Sequence, residues 1–107
     1  MQEPIIHPRI LQMVEVERLK QDQEWGGPSH DDDHTYEDWM AYILHQIDRL
    51  QKQLEERSKF TMNADQNMAI HRGRQAIVQD RMSKIAALAI ACSESVARDR
   101  ERERQSH

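Results

Sequence analysis

The chain has 107 residues, of which 37% are hydrophobic and only five are aromatic, and its formal net charge is −4 at pH 7. The longest apolar run is far shorter than the roughly 20 residues of a membrane span, which excludes a transmembrane protein. The basic residues form no concentrated patch, so duplex nucleic acid is not an expected partner.

The composition predicts an all-α fold. Gly and Pro number three each, residues of high helix propensity are abundant, and no stretch alternates apolar and polar residues over the length of a strand. The single Cys92 lies in an apolar run, as a buried free thiol does in a reducing compartment. No charged-then-apolar leader opens the sequence, so we expect a cytoplasmic protein.

The first helix is predicted over residues 8–24, after an N-terminal arm formed by residues 1–7. Pro8 suits the first turn of a helix, where its missing N–H is not needed. Two Gly residues and a Pro in the segment 25–29 predict the end of the helix. Its apolar positions are Ile10, Leu11, Met13, Val14, Val16 and Leu19.

The second helix is predicted over residues 36–57, after the acidic turn 30–34. Thr35 and Asp38 have the spacing of a capping box, in which each side chain accepts a hydrogen bond from a backbone N–H at the start of the helix. An apolar seam with alternating spacings of 3 and 4 residues follows it. This seam consists of Met40, Ile43, Ile47, Leu50 and Leu54.

The third helix is predicted over residues 64–98, with Gly73 as a point where it could be interrupted. Residues 85–92 are eight apolar residues in a row, more than a helix with one buried stripe requires. A seam at spacings of 4 and 3 residues runs through Val78, Met82, Ile85, Ala89, Cys92 and Val96. Residues 99–107 are charged without an apolar face, as expected of a solvated, fraying tail.

These elements predict a three-helix protomer, with one short and two long helices forming a helical domain over residues 8–98. Two seams and an eight-residue apolar run exceed what the short first helix can cover. We therefore expect a symmetric helical-bundle oligomer that associates through the third helix.

The acidic turn is a candidate metal site with two open interpretations. Its candidate ligands are His30, Asp31, Asp32 and His34, with Glu37 close behind in the sequence. Imidazole and carboxylate groups on adjacent residues can reach one divalent ion. Acidic residues before a helix are also common because they favour its positive end.

A second candidate site combines cations from two helices. Asp38, Tyr42, His45 and Arg49 form a polar stripe on the second helix because they are spaced by 4, 3 and 4 residues. If this stripe meets the third helix, the side chains of His45, Arg49, Arg81 and Lys84 form a cationic pocket. Trp39 or Tyr42 could stack there on a base, and the turn from Trp25 through His30 and Asp31 would cover the entrance. In the alternative, Arg49 and Lys84 extend to solvent and pair with carboxylates.

Three passages together carry a family resemblance. They are VER followed by QDQEWGG within residues 16–27, HDD at residues 30–32 with Trp39 and Ile43 behind it, and KIAALA at residues 84–89. Over about residues 13–98 the chain resembles small phage and prophage proteins related to the MazG-like, all-α nucleoside triphosphate pyrophosphohydrolases. The resemblance implies a helical bundle of two or more chains that acts in the cytoplasm of a phage host.

The metal-binding motifs of that family are altered in this chain. The resemblance implies magnesium held by Glu-Glu-x-x-Glu on one helix and Glu-x-x-Asp on the next. The corresponding segments here run from His45 to Arg49 and from Arg81 to Lys84, and cations stand at several of the expected carboxylate positions. Hard divalent ions need oxygen ligands, so the fold is expected to carry over and the catalytic site is not.

The sequence thus favours a non-catalytic scaffold that binds or sequesters a phosphorylated nucleotide, such as a signalling or defence nucleotide, and needs no cofactor. One alternative is a nucleoside triphosphate pyrophosphohydrolase that uses magnesium or manganese at the acidic turn. Another alternative is a structural or protein-binding helical module that binds no nucleotide.

Overall fold

The computed structural model describes residues 5–26, 33–58 and 64–106 of the chain. These residues form three α-helices and no strand: α1 is Pro8–Trp25, α2 is Tyr36–Ser58 and α3 is Ala64–Gln105. The predicted all-α class and the three helices are confirmed. The first four residues of the predicted arm, residues 30–32 of the acidic turn and the last residue of the tail lie outside the described residues.

The helices begin and end at local signals. The N–H of Thr35 donates to Asp38 Oδ2 at 3.0 Å, and the N–H of Asp38 donates to Thr35 Oγ1 at 3.1 Å, so the predicted capping box is confirmed. Gly26 follows α1 with φ of 82°, and its N–H donates to the carbonyl of Asp22. This left-handed conformation costs glycine little because it has no Cβ.

The third helix is longer than predicted. It passes through Gly73 without interruption and continues to Gln105, beyond the predicted end at residue 98. Next to Gly73, Arg74 donates from Nη1 to the carbonyl of Leu54 in α2 at 2.8 Å. A single glycine costs a helix only about 1 kcal/mol, and this contact ties the same turn to α2.

Both shorter helices pack against α3. The buried apolar residues are Val14 of α1, Trp39 and Leu50 of α2, and Ala87, Leu88 and Ala91 of α3. Ala87 and Ala91 are one turn apart, so their small side chains let a neighbouring helix approach α3 closely. The core is therefore a narrow seam along one side of α3.

The buried face of α1 differs from the face that its apolar residues suggested. Val14, Glu17 and Gln21 are buried, whereas Leu11, Val16 and Leu19 are exposed. Spacings of 3 and 4 residues place the three buried positions on one side of the helix. Two of the three are polar, so α1 brings a carboxylate and an amide to its contact with α3.

The predicted seam of α3 is not the buried side of this helix, although its Cys92 packs against the core cluster. All six of its residues, Val78, Met82, Ile85, Ala89, Cys92 and Val96, are exposed or only partly buried. The chain has a radius of gyration of 17.9 Å, compared with about 13 Å for a compact domain of this length. A single copy of the chain therefore covers this seam only in part, leaving Met82 and Ala89 exposed.

Across the described ranges of the chain, no helix has the length and apolar character needed to span a membrane.

The capping box gives a direct test of how α2 begins. Thr35→Ala removes the hydroxyl that accepts from Asp38 N–H, and we expect it to lower the free energy of unfolding by about 1 kcal/mol. Thr35→Ser keeps the hydroxyl and should retain most of the stability. Urea denaturation of the two variants measures the difference, and equal losses would show that the Thr35 hydroxyl contributes nothing.

Candidate functional site

A cleft of about 280 Å³ opens where α1 and α2 flank the middle of α3. All three helices contribute to its walls. The lining residues are Glu17, Lys20, Gln21, Glu24 and Trp25 from α1, Gln46 and Arg49 from α2, and Arg81, Lys84 and Leu88 from α3. Four of the predicted ligand-binding residues thus lie together here: Trp25, Arg49, Arg81 and Lys84.

Glu17 is the carboxylate at the centre of this cleft. Its Oε1 lies 3.2 Å from Lys84 Nζ and 3.4 Å from Lys20 Nζ. The Glu17 side chain is only 11% exposed, whereas Lys84 is 29% and Lys20 58% exposed. Burying a carboxylate is costly unless a cation compensates it, so Lys84 is the partner that allows Glu17 to lie inside the protein.

Arg81 is held by neutral partners. Its Nη1 donates to Gln46 Oε1 at 2.6 Å, and its Nη2 donates to Gln53 Oε1 at 3.2 Å. Its Nε is buried and has no hydrogen-bond partner among the residues that the structure describes. Amide oxygens fix a guanidinium without neutralising it, so the positive charge of Arg81 remains available to the cleft.

Arg49 is the most accessible of the predicted cations in the cleft. Its side chain is exposed and lines the cleft. Within residues 5–26, 33–58 and 64–106, no carboxylate forms an ion pair with it. The lining carries four cations, Lys20, Arg49, Arg81 and Lys84, and two carboxylates, Glu17 and Glu24. Four positive and two negative groups give a net charge of +2, which favours an anionic ligand.

An aromatic cluster adjoins the cleft through Trp25. It consists of Trp25, His34, Trp39 and Tyr42, with ring centroids 5.0 to 6.4 Å apart. Trp25 belongs both to this cluster and to the lining of the cleft. Its ring is 5.7 Å from that of Tyr42 and inclined by 36°, so neighbouring rings hold the indole in place.

Trp39 has a different place from the one expected of a residue that stacks on a base. Its side chain is 2% exposed and packs against Leu88 and Ala91 in the core. Trp25 lines the cleft instead, and its ring centroid lies 6.4 Å from that of Trp39. His45 is exposed and is not among the residues that line the cleft.

The candidate metal ligands are only partly described. His30, Asp31 and Asp32 lie outside the described residues, and Glu37 is exposed. His34 lies in the aromatic cluster with Nδ1 3.9 Å from Asp38 Oδ2. In the part of the chain that the structure describes, no group of three or more His, Cys, Asp or Glu side chains is arranged to hold a metal ion.

Sequence reasoning did not assign Gln21, Gln46 and Gln53 to the site. Gln21 follows Val14 and Glu17 at the spacing of one helix face, and Gln46 and Gln53 are two turns apart on α2. Polar residues at such spacing on an otherwise apolar side of a helix are the signal that could have identified them. The role of Gln46 and Gln53 becomes visible only in the structure, where both accept hydrogen bonds from Arg81.

Comparison of the chain with family models, curated proteins and solved structures gave no match.

The unequal burial of the two lysines predicts unequal effects of removing them. Lys84→Met leaves the buried Glu17 with only the exposed Lys20 as partner, and we expect a loss of about 2 kcal/mol in the free energy of unfolding. Lys20→Met is the matched control and should cost less than about 1 kcal/mol. Methionine keeps the apolar stem of the lysine in both variants.

Urea unfolding at low and high salt checks this prediction. Equal losses for the two variants would contradict it, because they would mean that the buried pair and the exposed pair contribute alike.

Proposed function

We propose that this protein binds a phosphorylated nucleotide in the cleft between α1 and α2 without converting it. The observation that carries the proposal is the meeting of Arg49, Arg81 and Trp25 in one cleft whose lining has a net positive charge. Guanidinium groups suit phosphate oxygens, and an indole suits a base.

The phosphate end of the ligand would lie against the two arginines. Arg81 is already oriented by Gln46 and Gln53, so little side-chain entropy is lost when it binds an anion. Each charge-assisted hydrogen bond contributes about 1.5–3 kcal/mol. Two or three of them support micromolar affinity after the cost of association.

The base would lie against Trp25, which the aromatic cluster holds in place. The cleft measures about 280 Å³, at the lower end of small-molecule sites. This size favours one nucleotide bound in an open groove over a large enclosed ligand. Glu24, also on the wall of the cleft, can accept hydrogen bonds from ribose hydroxyls.

The wider context of the proposal rests on the family resemblance. The scaffold would be a homo-oligomer in the cytoplasm of a phage host, and it would sequester a signalling or defence nucleotide. Two residues of the α3 seam, Met82 and Ala89, support the oligomer, because they are exposed in one copy.

One observation favours the alternative, a metal-dependent nucleoside triphosphate pyrophosphohydrolase. Glu17 and Glu24 line the same cleft as the cations, and paired carboxylates are ligands that magnesium accepts. The two lysines that contact Glu17 Oε1 argue against it, because their positive charges repel a metal cation at this carboxylate.

Isothermal titration calorimetry with nucleoside mono-, di- and triphosphates, in buffer containing a chelator, tests the proposed function. We expect micromolar binding of at least one of them. Arg49→Ala should weaken it at least about 10-fold, since one charge-assisted hydrogen bond is lost. His45→Ala is the matched control, because His45 is exposed one turn away and does not line the cleft.

The outcomes separate the candidate functions. Absence of binding to every nucleotide tested overturns the proposal, as does binding that Arg49→Ala leaves unchanged. Release of pyrophosphate from a nucleoside triphosphate with magnesium or manganese establishes the enzyme instead. Arg49 is a cleaner probe than Lys84, because changing Lys84 also breaks a buried ion pair.

A further inference from the structure

A groove of about 640 Å³ lies on α3 beside the end of α2. This surface, the basic groove, takes its polar lining from α3: His71, Arg72, Arg74, Gln75 and Gln79. It is more than twice as large as the cleft of about 280 Å³, and its volume lies within the usual range of small-molecule sites. Among the described residues, none lines both openings.

Every polar side chain that the structure describes in this lining can donate hydrogen bonds, and none of them is a carboxylate. The two guanidinium groups carry permanent positive charge, and the imidazole and amide groups add N–H donors. At about 100° per residue, these side chains follow one another around α3 within a sector of about 160°, with Arg74 and Arg72 at its two edges. Positive charge therefore flanks the middle of the groove on both sides.

The charges of Arg72 and Arg74 are not neutralised along the helix. Elsewhere in this chain, exposed cations pair with a carboxylate one turn away, as Lys52 does with Asp48. No carboxylate stands three or four residues from Arg72 or Arg74 in the sequence, the spacing at which side chains of a helix meet. Within the described ranges neither arginine forms an ion pair. A chain with a net charge of −4 thus leaves this segment positive.

Arg74 is held in place by α2. Its Nη1 donates to the carbonyl of Leu54 at 2.8 Å, and the residue is half-buried. A carbonyl oxygen orients the guanidinium but leaves its charge intact. A cation that is already oriented loses little side-chain entropy when it binds an anion. Arg72, by contrast, is exposed and forms the accessible edge of the groove.

Apolar side chains complete the wall of the basic groove. They are Leu54 of α2 and Ala76 and Val78 of α3. Leu54 and Val78 are half-buried, so part of each side chain remains accessible. An inorganic anion gains nothing from this surface, whereas an apolar substituent gains about 25 cal/mol for each Å² that it buries. The lining therefore suits a ligand that has both a negative charge and an apolar part.

We propose that the basic groove is a second binding site, which takes a small organic anion with an apolar body. The anionic group, a phosphate or a carboxylate, lies between Arg72 and Arg74, and the apolar body lies against Leu54 and Val78. The site does not depend on the proposed nucleotide binding, because the described residues of the groove and of the cleft are different.

Two-dimensional amide NMR of the full chain, titrated with three probes, tests the class of ligand. Phenyl phosphate has both the charge and the apolar body, inorganic phosphate has only the charge, and phenol has only the apolar body. We expect phenyl phosphate to shift the amide signals of residues 71–79 with a dissociation constant of about 1 mM or lower. The other two probes should bind there at least about 10-fold more weakly, since each lacks one half of the contact.

Arg72→Gln tests the contribution of the positive charge. It removes an exposed guanidinium and should raise the dissociation constant of phenyl phosphate at least about 10-fold, since one charge-assisted hydrogen bond is lost. Arg100→Gln is the matched control and should leave the constant unchanged, because Arg100 is exposed on the same helix outside the groove. Arg72 is a cleaner probe than Arg74, whose replacement also breaks the hydrogen bond to Leu54.

Arg49→Ala separates this site from the proposed function. Arg49 lines the cleft and not the basic groove, so the shifts of residues 71–79 should persist in this variant. They should persist whether or not any nucleotide binds in the cleft.

Four results overturn the proposal. They are unchanged signals of residues 71–79 at about 10 mM phenyl phosphate, equal affinity for phenyl phosphate and inorganic phosphate, unchanged affinity in a folded Arg72→Gln variant, and loss of the shifts in Arg49→Ala. The comparison of the three probes needs no variant, so it decides the question even if Arg72→Gln fails to fold.

Discussion

The burial of Trp39 is the interaction on which the rest of the structure depends. Its indole, 2% exposed, packs from α2 against Leu88 and Ala91 of α3, and Trp25 of α1 packs against the same group. This is the point where all three helices contribute to one cluster. Losing such a side chain typically costs about 3–5 kcal/mol. Beyond this point the cleft opens between α1 and α2, so the same indole closes the core and supports the end wall of the candidate site.

The ends of the helices were predictable because they are encoded locally. The hydroxyl of Thr35 and the carboxylate of Asp38 recognise backbone groups only three residues away, and Gly26 adopts its left-handed turn within its own segment. The buried faces were less predictable, because they depend on a neighbour that the local sequence does not specify. Glu17 is buried on α1 while the nearby Leu19 is exposed, a choice made by the position of Lys84 on α3.

The candidate site was predictable to the extent that it follows from helix periodicity. Arg49, Arg81 and Lys84 converge because each lies on the flank of α2 or α3 that borders the cleft. Helix periodicity does not predict which side chains pair between two helices. Two features depend on how closely α2 approaches α3: the amide pair that holds Arg81 and the position of Trp39 in the core rather than in the cleft. Local spacing on either helix leaves that distance undetermined.

The carboxylate of Glu17, shared by Lys20 and Lys84, acts as a counter-ion that is covalently part of the protein. Both lysines are occupied by an oxygen that cannot diffuse away, and an attached group competes at a high effective concentration. A singly charged ion such as chloride would gain only one weak contact and would therefore compete poorly with the Glu17 carboxylate for the lysines. Under the proposed function, a ligand with two or more adjacent negative charges would engage the arginines first and then compete for the lysines. Under that proposal, a carboxylate placed among cations would discriminate against the small anions that are abundant in cells.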